Sequence, residues 1–346
     1  MEGPSSVFRV LPWRNGAGAR GFASDGMDRA CGQPAWKDLR KQGSRRLWNR
    51  QMRNMRLVPN SETIRDPKKA STIEWIETNG LGGWASSTIT GANTRRYHGI
   101  LVVSPNPPTG RMVMLSRLDE TVVYSGGRHE LGCSFFPGTL HPRGYEYLES
   151  FSREIFPRFE YRAGPVGLSK TVAGINGENT TVIIYEAGPA SHDFILELRP
   201  FVAGRDYHSL VKANDGIRKE AYFSEGLFKA APYPGIPELF IRIPGADFRP
   251  DPDWYYNFEY PAEMERGLDF REDLFTYGVF RIPMEQGQKV SVIVSDRKPG
   301  DSGGTDLFRE EEKRRQDLLE PFAVRSGFPR HLILAADQFI VKRESG

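Results

Sequence analysis

From Ser71 onward the chain is a succession of short runs rich in β-branched and aromatic residues, each closed by turn-forming residues, and this pattern limits its fold most sharply. The runs are Thr72–Glu77, Tyr97–Val103, Met112–Leu118, Thr121–Tyr124, Val166–Val172, Thr180–Tyr185, Phe194–Phe201, Leu239–Ile243, Phe275–Ile282 and Lys289–Val294. Segments of this length and composition read as strands. Gly126-Gly127, Asn176-Gly177 and Gly287 lie between them and suit tight hairpins. Ten strands with no amphipathic helix between them favour a mainly β fold, a large antiparallel β-sandwich, over a parallel α/β sheet.

The periodicity changes near Asp301. Asp301-Ser302-Gly303-Gly304 reads as a linker, after which Leu307, Phe308, Leu318 and Leu319 punctuate a charged helical stretch from Thr305 to Glu320. Pro321 breaks it. A second helical pattern follows Pro329, with Leu332, Leu334, Ala335, Ala336, Phe339 and Ile340 as its apolar positions. One amphipathic helix cannot bury its own face, so it either docks back on the sandwich or begins a further helical domain.

Charge divides the other end of the chain. The net charge is +3, yet residues 1–56 hold 12 Lys/Arg against 4 Asp/Glu, which leaves the remainder mildly acidic. The leader is Gly-rich and aperiodic, so it reads as a disordered tail rather than a nucleic-acid or membrane contact. Met52 or Met55 could equally serve as the start of translation, because folded-looking sequence begins at Leu57. The expected division is a leader at 1–56, a sandwich at 57–300 and a helical segment at 301–346. Cys31 and Cys133 form neither a disulfide framework nor a zinc-ligand pair, and no secretory signal or long apolar run occurs. A reducing cytoplasm is the simplest setting, without membrane or nucleic-acid partners.

The segment richest in candidate chemistry runs from Glu74 to Ser87, with Asn79-Gly80-Leu81-Gly82-Gly83-Trp84 at its centre, and continues through Asn93-Thr94-Arg95-Arg96-Tyr97-His98-Gly99. A phosphate loop is excluded, since no Lys-Ser/Thr follows the glycines and the next residues are β-prone. Two readings stand side by side. In one, the glycines present Asn79, Trp84, Arg95, Arg96, Tyr97 and His98 at a rim where amide and guanidinium donors meet aromatic faces, as a polyhydroxylated ligand requires. In the other, Arg95 and Arg96 pair with Glu74 or Glu77, and His98 is a satisfied strand residue. Were the segment a strand, Arg95 and Tyr97 would share one face and Arg96 and His98 the other, the latter pair being the one assigned to the ligand.

Asn79–Thr88 (NGLGGWASST), Thr94–Leu101 (TRRYHGIL) and Arg111 to Asp119-Glu120-Thr121 together resemble the amino-terminal domain of bacterial and archaeal glycogen debranching enzymes. The resemblance continues through Phe151–Glu154, Leu198–Phe201, Trp254–Tyr260, Glu263, Arg266–Asp269 and Glu272–Leu274, and covers roughly residues 70–346. It implies amylo-α-1,6-glucosidase function in glycogen-like α-glucan breakdown, with the β-sandwich preceding an (α/α) barrel that holds the catalytic acids. Leu334–Val341 resembles the opening of that barrel, so catalytic residues are expected in none of these 346 positions and the barrel would be supplied in cis or in trans. A stand-alone glucan-binding module and an inactive truncated fragment are the alternatives.

Hydrolysis of a glycosidic bond needs two carboxyl groups across it. Asp119-Glu120 and Glu272-Asp273 are adjacent pairs that point to opposite faces of a strand, so turn or salt-bridge roles are expected for them. Trp254, Tyr255 and Tyr256, with Phe258 and Tyr260, form a second candidate surface, either a glucan platform or an aromatic packing layer, with packing favoured. The six histidines show no metal-ligand spacing, and neither a metal nor a cofactor is expected.

Overall fold

The structure is a computed structural model that describes residues 59–189, 191–300, 302–322 and 327–343. The leader expectation for residues 1–56 falls outside them, as does Cys31. The chain opens with two short helices, α1 (Ser61–Arg65) and α2 (Pro67–Ala70), whose first amides are capped by the side chains of Asn60 and Asp66. Strands then follow in an almost unbroken series. The first seven are β1 (Glu74–Thr78), β2 (Trp84–Thr88), β3 (Gly99–Val103), β4 (Met112–Tyr124), β5 (Gly127–Glu130), β6 (Cys133–Phe136) and β7 (Thr139–Arg143). Next come β8 (Leu148–Arg153), β9 (Pro157–Ala163), β10 (Val166–Gly174), β11 (Thr180–Ala187) and β12 (Phe194–Asp206). The series ends with β13 (Ala221–Ser224), β14 (Leu227–Ala230), β15 (Leu239–Arg242), β16 (Asp247–Glu259), β17 (Arg271–Met284) and β18 (Lys289–Ser295). Helix α3 (Pro261–Glu265) separates β16 from β17.

These strands form the expected antiparallel sandwich. One sheet runs β1-β2-β3-β4-β12-β17-β16-β6-β7, with β5 paired to β4, and the other runs β13-β14-β15-β18-β11-β10-β9-β8. Between them lies a core that includes Trp75, Leu101, Phe159, Leu198, Phe228, Phe275 and Phe280. The larger sheet is also apolar on its second face. Leu101 and Val103 point to the core while Val102 points away, and Phe275 and Leu274 divide in the same manner. On that outer face Val102, Val113, Phe201, Ala203, Phe258 and Leu274 make a second cluster, flanked by Trp84, Phe136, Tyr207 and Tyr255.

Two strand expectations change, and β16 is added to the strands read from the sequence. Met112–Leu118 and Thr121–Tyr124 are one continuous strand, β4, because Arg117 to Glu120 keep their ladder with β12 and the register shift falls at Ser116. Residues 95–97 form a turn, closed by His98 N–H donating to the Arg95 carbonyl at 3.1 Å, so the strand begins at Gly99 and two-residue alternation does not govern Arg95–His98. β16 carries Pro250 and Pro252, residues that argue against a strand. They are tolerated because β16 pairs along its length only with β17 and meets β6 at a single position, Glu259 opposite Phe135.

Two helices close the described chain, α4 (Gly304–Leu319) and α5 (Phe328–Asp337). α4 docks on the sandwich: Leu307 and Phe308 pack against Ile175, Val182 and Ile293, and Phe308 meets Phe156 at 4.8 Å. A buried ion-pair network fixes this arrangement. Arg315 contacts Glu77 at 2.6 Å and Glu311 at 2.7 Å, Arg153 contacts Glu77 at 3.1 Å, and Arg314 reaches Asp337 on α5 at 2.7 Å. Beyond α5 the chain follows β1, where Gln338 donates to the Ile76 carbonyl and Lys342 N–H to that of Gly80. Among the described residues no helix is long and apolar enough to cross a membrane.

Candidate functional site

The glycine-rich segment is a turn built around Asn79. Its carboxamide oxygen accepts the amides of Leu81 at 2.9 Å and Gly83 at 3.0 Å, and its Nδ2 donates to Asn179 at 3.0 Å. Asn79 is buried, so this side chain organises the turn from within. Gly80 and Gly82 have φ of 70° and 95°, and a Cβ on Gly83 would stand 2.7 Å from Asn79 Nδ2. The chain can therefore reverse between β1 and β2 and deliver Trp84 to the outer face of the larger sheet.

The next turn disposes its charged side chains in different directions. Arg95 pairs with Glu74 at 2.7 Å, as the salt-bridge reading requires. Arg96 donates to the carbonyls of His208 at 2.7 Å and Asp269 at 2.6 Å, and its Nε lies 3.4 Å from Glu263 rather than near Glu74 or Glu77. Glu263 is fully buried and its carboxylate accepts no hydrogen bond from the described residues; Arg96 is its nearest countercharge. His98 is buried, and its Nδ1 accepts the Thr94 amide at 3.2 Å, which places its proton on Nε2, 3.7 Å from Glu74. Burial lowers the His98 pKa to about 4 against the opposing pull of Glu74, so the ring is neutral near pH 7.

What reaches the surface is an aromatic rim. The Trp84 indole donates to the Tyr97 carbonyl at 2.9 Å, which fixes the indole beside the turn. Tyr207 packs on both, with ring centroids 6.0 Å from Trp84 and 5.6 Å from Tyr97, and His208 stands edge-on to Tyr97 with its Nδ1 3.2 Å from the phenol oxygen. Arg111 spans Trp84 and Tyr207 at 5.5 and 5.6 Å and donates to the Gly82 carbonyl. Of the six residues read from sequence, the fold brings Trp84 and Tyr97 together. It sets Arg96 between two loops, Arg95 and His98 on Glu74, and Asn79 inside the turn. Arg111, Tyr207 and His208 complete the rim; Tyr207-His208 follows a strand end and carries no spacing signal.

A groove of about 760 Å³ runs beside this turn. Glu74 and Arg95 form part of its wall, with Phe135, Phe136, Leu140 and Met264 opposite. The second candidate surface is divided by β16, whose register shift between Tyr255 and Phe258 lets both of these residues pack on the outer-face cluster. Trp254 packs on Phe275 at 5.3 Å, Tyr255 on Phe201 at 4.9 Å and Phe258 on Phe136 at 4.9 Å, while Tyr256 is exposed. The adjacent carboxylates are all engaged. Asp119 pairs with Arg117 on the outer face, and Glu120 meets Lys170 and Tyr185 between the sheets, each at 2.5 Å. Glu272 binds Arg205 and Tyr260, and Asp273 accepts the amides of Ala213 and Asn257. Among the described residues no three His, Cys, Asp or Glu side chains converge as metal ligands would.

Residues 73–291, more than half of the chain, match the family described as glycogen debranching enzyme N terminal. No curated protein sequence matches. Among solved structures, a bacterial glucoamylase complexed with acarbose aligns with 72% of this chain and 35% of its own at 8% identity and a TM-score of 0.35. A human-microbiome protein provisionally named a kojibiose phosphorylase aligns with 82% of this chain and 37% of its own, at 8% identity and a TM-score of 0.34. The chain thus spans little more than a third of the length of either. On the family match, the chain belongs to the glycogen debranching enzyme N-terminal family.

Proposed function

We propose that this chain serves glycogen or related α-glucan breakdown in the cytoplasm by positioning the glucan beside a helical catalytic barrel supplied in cis or in trans. The observation that carries the reading is the rim of half-buried Trp84, Tyr97 and Tyr207 with exposed His208 beside Arg111, on a chain of this family. Aromatic faces stack on the C–H surfaces of sugar rings while guanidinium and imidazole groups serve the hydroxyls. Hydrolysis is assigned to the partner, because Asp119, Glu120, Glu272 and Asp273 are each held in ion pairs or amide contacts. Exposed Leu332, Phe339 and Ile340, at 54%, 86% and 69%, favour a helical partner over a stand-alone binding module.

Retardation in native gels containing glycogen tests the reading. The wild-type chain is expected to be slowed and His208→Ala to lose about tenfold in affinity, while neither releases glucose from branched glucan. Arg96 suits this test poorly, since its removal also frees two loops and strands Glu263. Unimpeded migration of the wild type would overturn glucan positioning, and turnover that co-purifies with the chain would overturn the division of labour.

A further inference from the structure

A second cavity lies farther along the outer face of the larger sheet. It measures about 200 Å³ and is floored by Phe201, Phe258 and Tyr255, with Asp119, Glu197 and Arg199 in its walls. The floor is tightly packed, since Phe201 meets Tyr255 at 4.9 Å and Phe258 at 5.6 Å. Asp119, Glu197 and Arg199 are each held in ion pairs, whereas exposed Glu130 in the lining makes none among the described residues. Glu197 binds Arg281 at 3.1 Å and also Arg128, Arg199 makes two 3.0 Å bonds to Asp251, and Arg117 makes two bonds to Asp119 Oδ1.

This pairing favours a neutral ligand. At Asp119, Glu197 and Arg199 a charged group would have to break a pair already formed, whereas a neutral polyol adds hydrogen bonds to the lone pairs and N–H groups that remain. Asp119 Oδ2 is such an acceptor, with no hydrogen-bond partner among the described residues, and only glycine fits beside it, because a Cβ on Gly132 would come within 2.7 Å. An apolar floor under a polar wall matches the two-sided chemistry of a sugar ring. The volume lies below the roughly 300–1,000 Å³ of pockets for drug-sized ligands, which points to a single ring.

Phe136 lines both this cleft and the 760 Å³ groove beside Arg95. The two cavities therefore share one aromatic residue. We propose that the cleft binds a terminal glucose ring of an α-glucan chain whose following rings pass over Phe136 into the groove. This inference rests on the glucan reading above but assigns a separate subsite to it.

Titration of the full chain with maltose, maltotriose and maltohexaose, followed by calorimetry, tests the subsite. Affinity is expected to rise at least about tenfold from maltose to maltohexaose. Asp119→Asn keeps the shape of its side chain and is expected to weaken all three sugars, whereas Phe136→Ala should abolish the gain with length. Phe136→Ala removes a ring packed on Phe258 and Arg199→Lys removes a guanidinium stacked on Tyr255, so the melting curves of both are recorded alongside, with Arg199→Lys serving as a second wall variant. Glycogen binding that persists with unchanged oligosaccharide affinities in Asp119→Asn and Arg199→Lys would overturn the subsite and leave the rim reading standing. Absence of glucan binding by the wild-type chain would overturn both.

Discussion

Acidification should weaken this protein through His98 in a way that can be isolated. Its pKa falls from the ordinary 6.5 to about 4, chiefly because burial penalises the imidazolium, while Glu74 opposes the shift and Arg95 adds to it. The folded state thus binds its proton later than the unfolded chain does. Stability from this group is fully present above about pH 6.5 and is lost progressively as pH falls through the folded value near 4. A difference of this size corresponds to about 3 kcal/mol. Carboxylates titrate in the same range, so the useful quantity is the difference between the wild type and His98→Asn. The asparagine oxygen can take the place of Nδ1, which accepts the Thr94 amide, but cannot be protonated. Urea unfolding at half-unit steps from pH 7.5 to 4 should show the wild type losing about 3 kcal/mol more than the variant. Parallel stability curves would refute the burial argument.

Three further outcomes follow from packing and charge. Glu77→Ala uncovers Arg315, although Glu311 and the Phe156 ring remain beside that guanidinium, so a cost near about 3 kcal/mol is expected by urea unfolding, at the low end for a broken buried pair. In a cycle with Arg315→Met, the two losses should be clearly non-additive. Gly83→Ala forces a Cβ against the Val102 carbonyl and the Asn79 side chain and should lower Tm by several degrees, with loss of Trp84 fluorescence character, whereas Gly138→Ala meets no neighbour but carries the strain of its positive φ alone. The Cys133 thiol is pushed up to about 12, mainly by burial, so in a Cys31→Ser background it should resist thiol reagents until the protein unfolds.

The sandwich was legible because strand formation is locally encoded: every β-branched run falls on a strand, apart from the start of Tyr97–Val103, and the turns at Gly127, Gly177 and Gly287 lie where the pattern placed them. β16 was hidden because its prolines violate a rule that applies to strands paired on both sides, and pairing is a tertiary fact. Trp84 and Tyr97 were legible as rim residues from their place beside the glycines. The fate of Arg96 was not, since His208 lies 112 residues away and Asp269 lies 173 away, and no periodicity links such positions. The alternative pairing of Arg95 with Glu74 could be named from sequence on charge alone; the β1–β2 hairpin, which sets Glu74 opposite Thr88, is what brings the two residues together across 21 positions.

The segment that follows α5 has a consequence for the behaviour of the protein in concentrated solution. β1 terminates the larger sheet, and a terminal strand offers unpaired carbonyl and amide groups to any other extended chain. Here the Ile76 carbonyl is occupied by Arg153 and Gln338, and the Gly80 carbonyl by Lys342. Residues 338–342 therefore act as a guard against strand-to-strand polymerisation. A loss of this guard would be felt first as aggregation seeded at Glu74–Thr78, before any loss of the sandwich core.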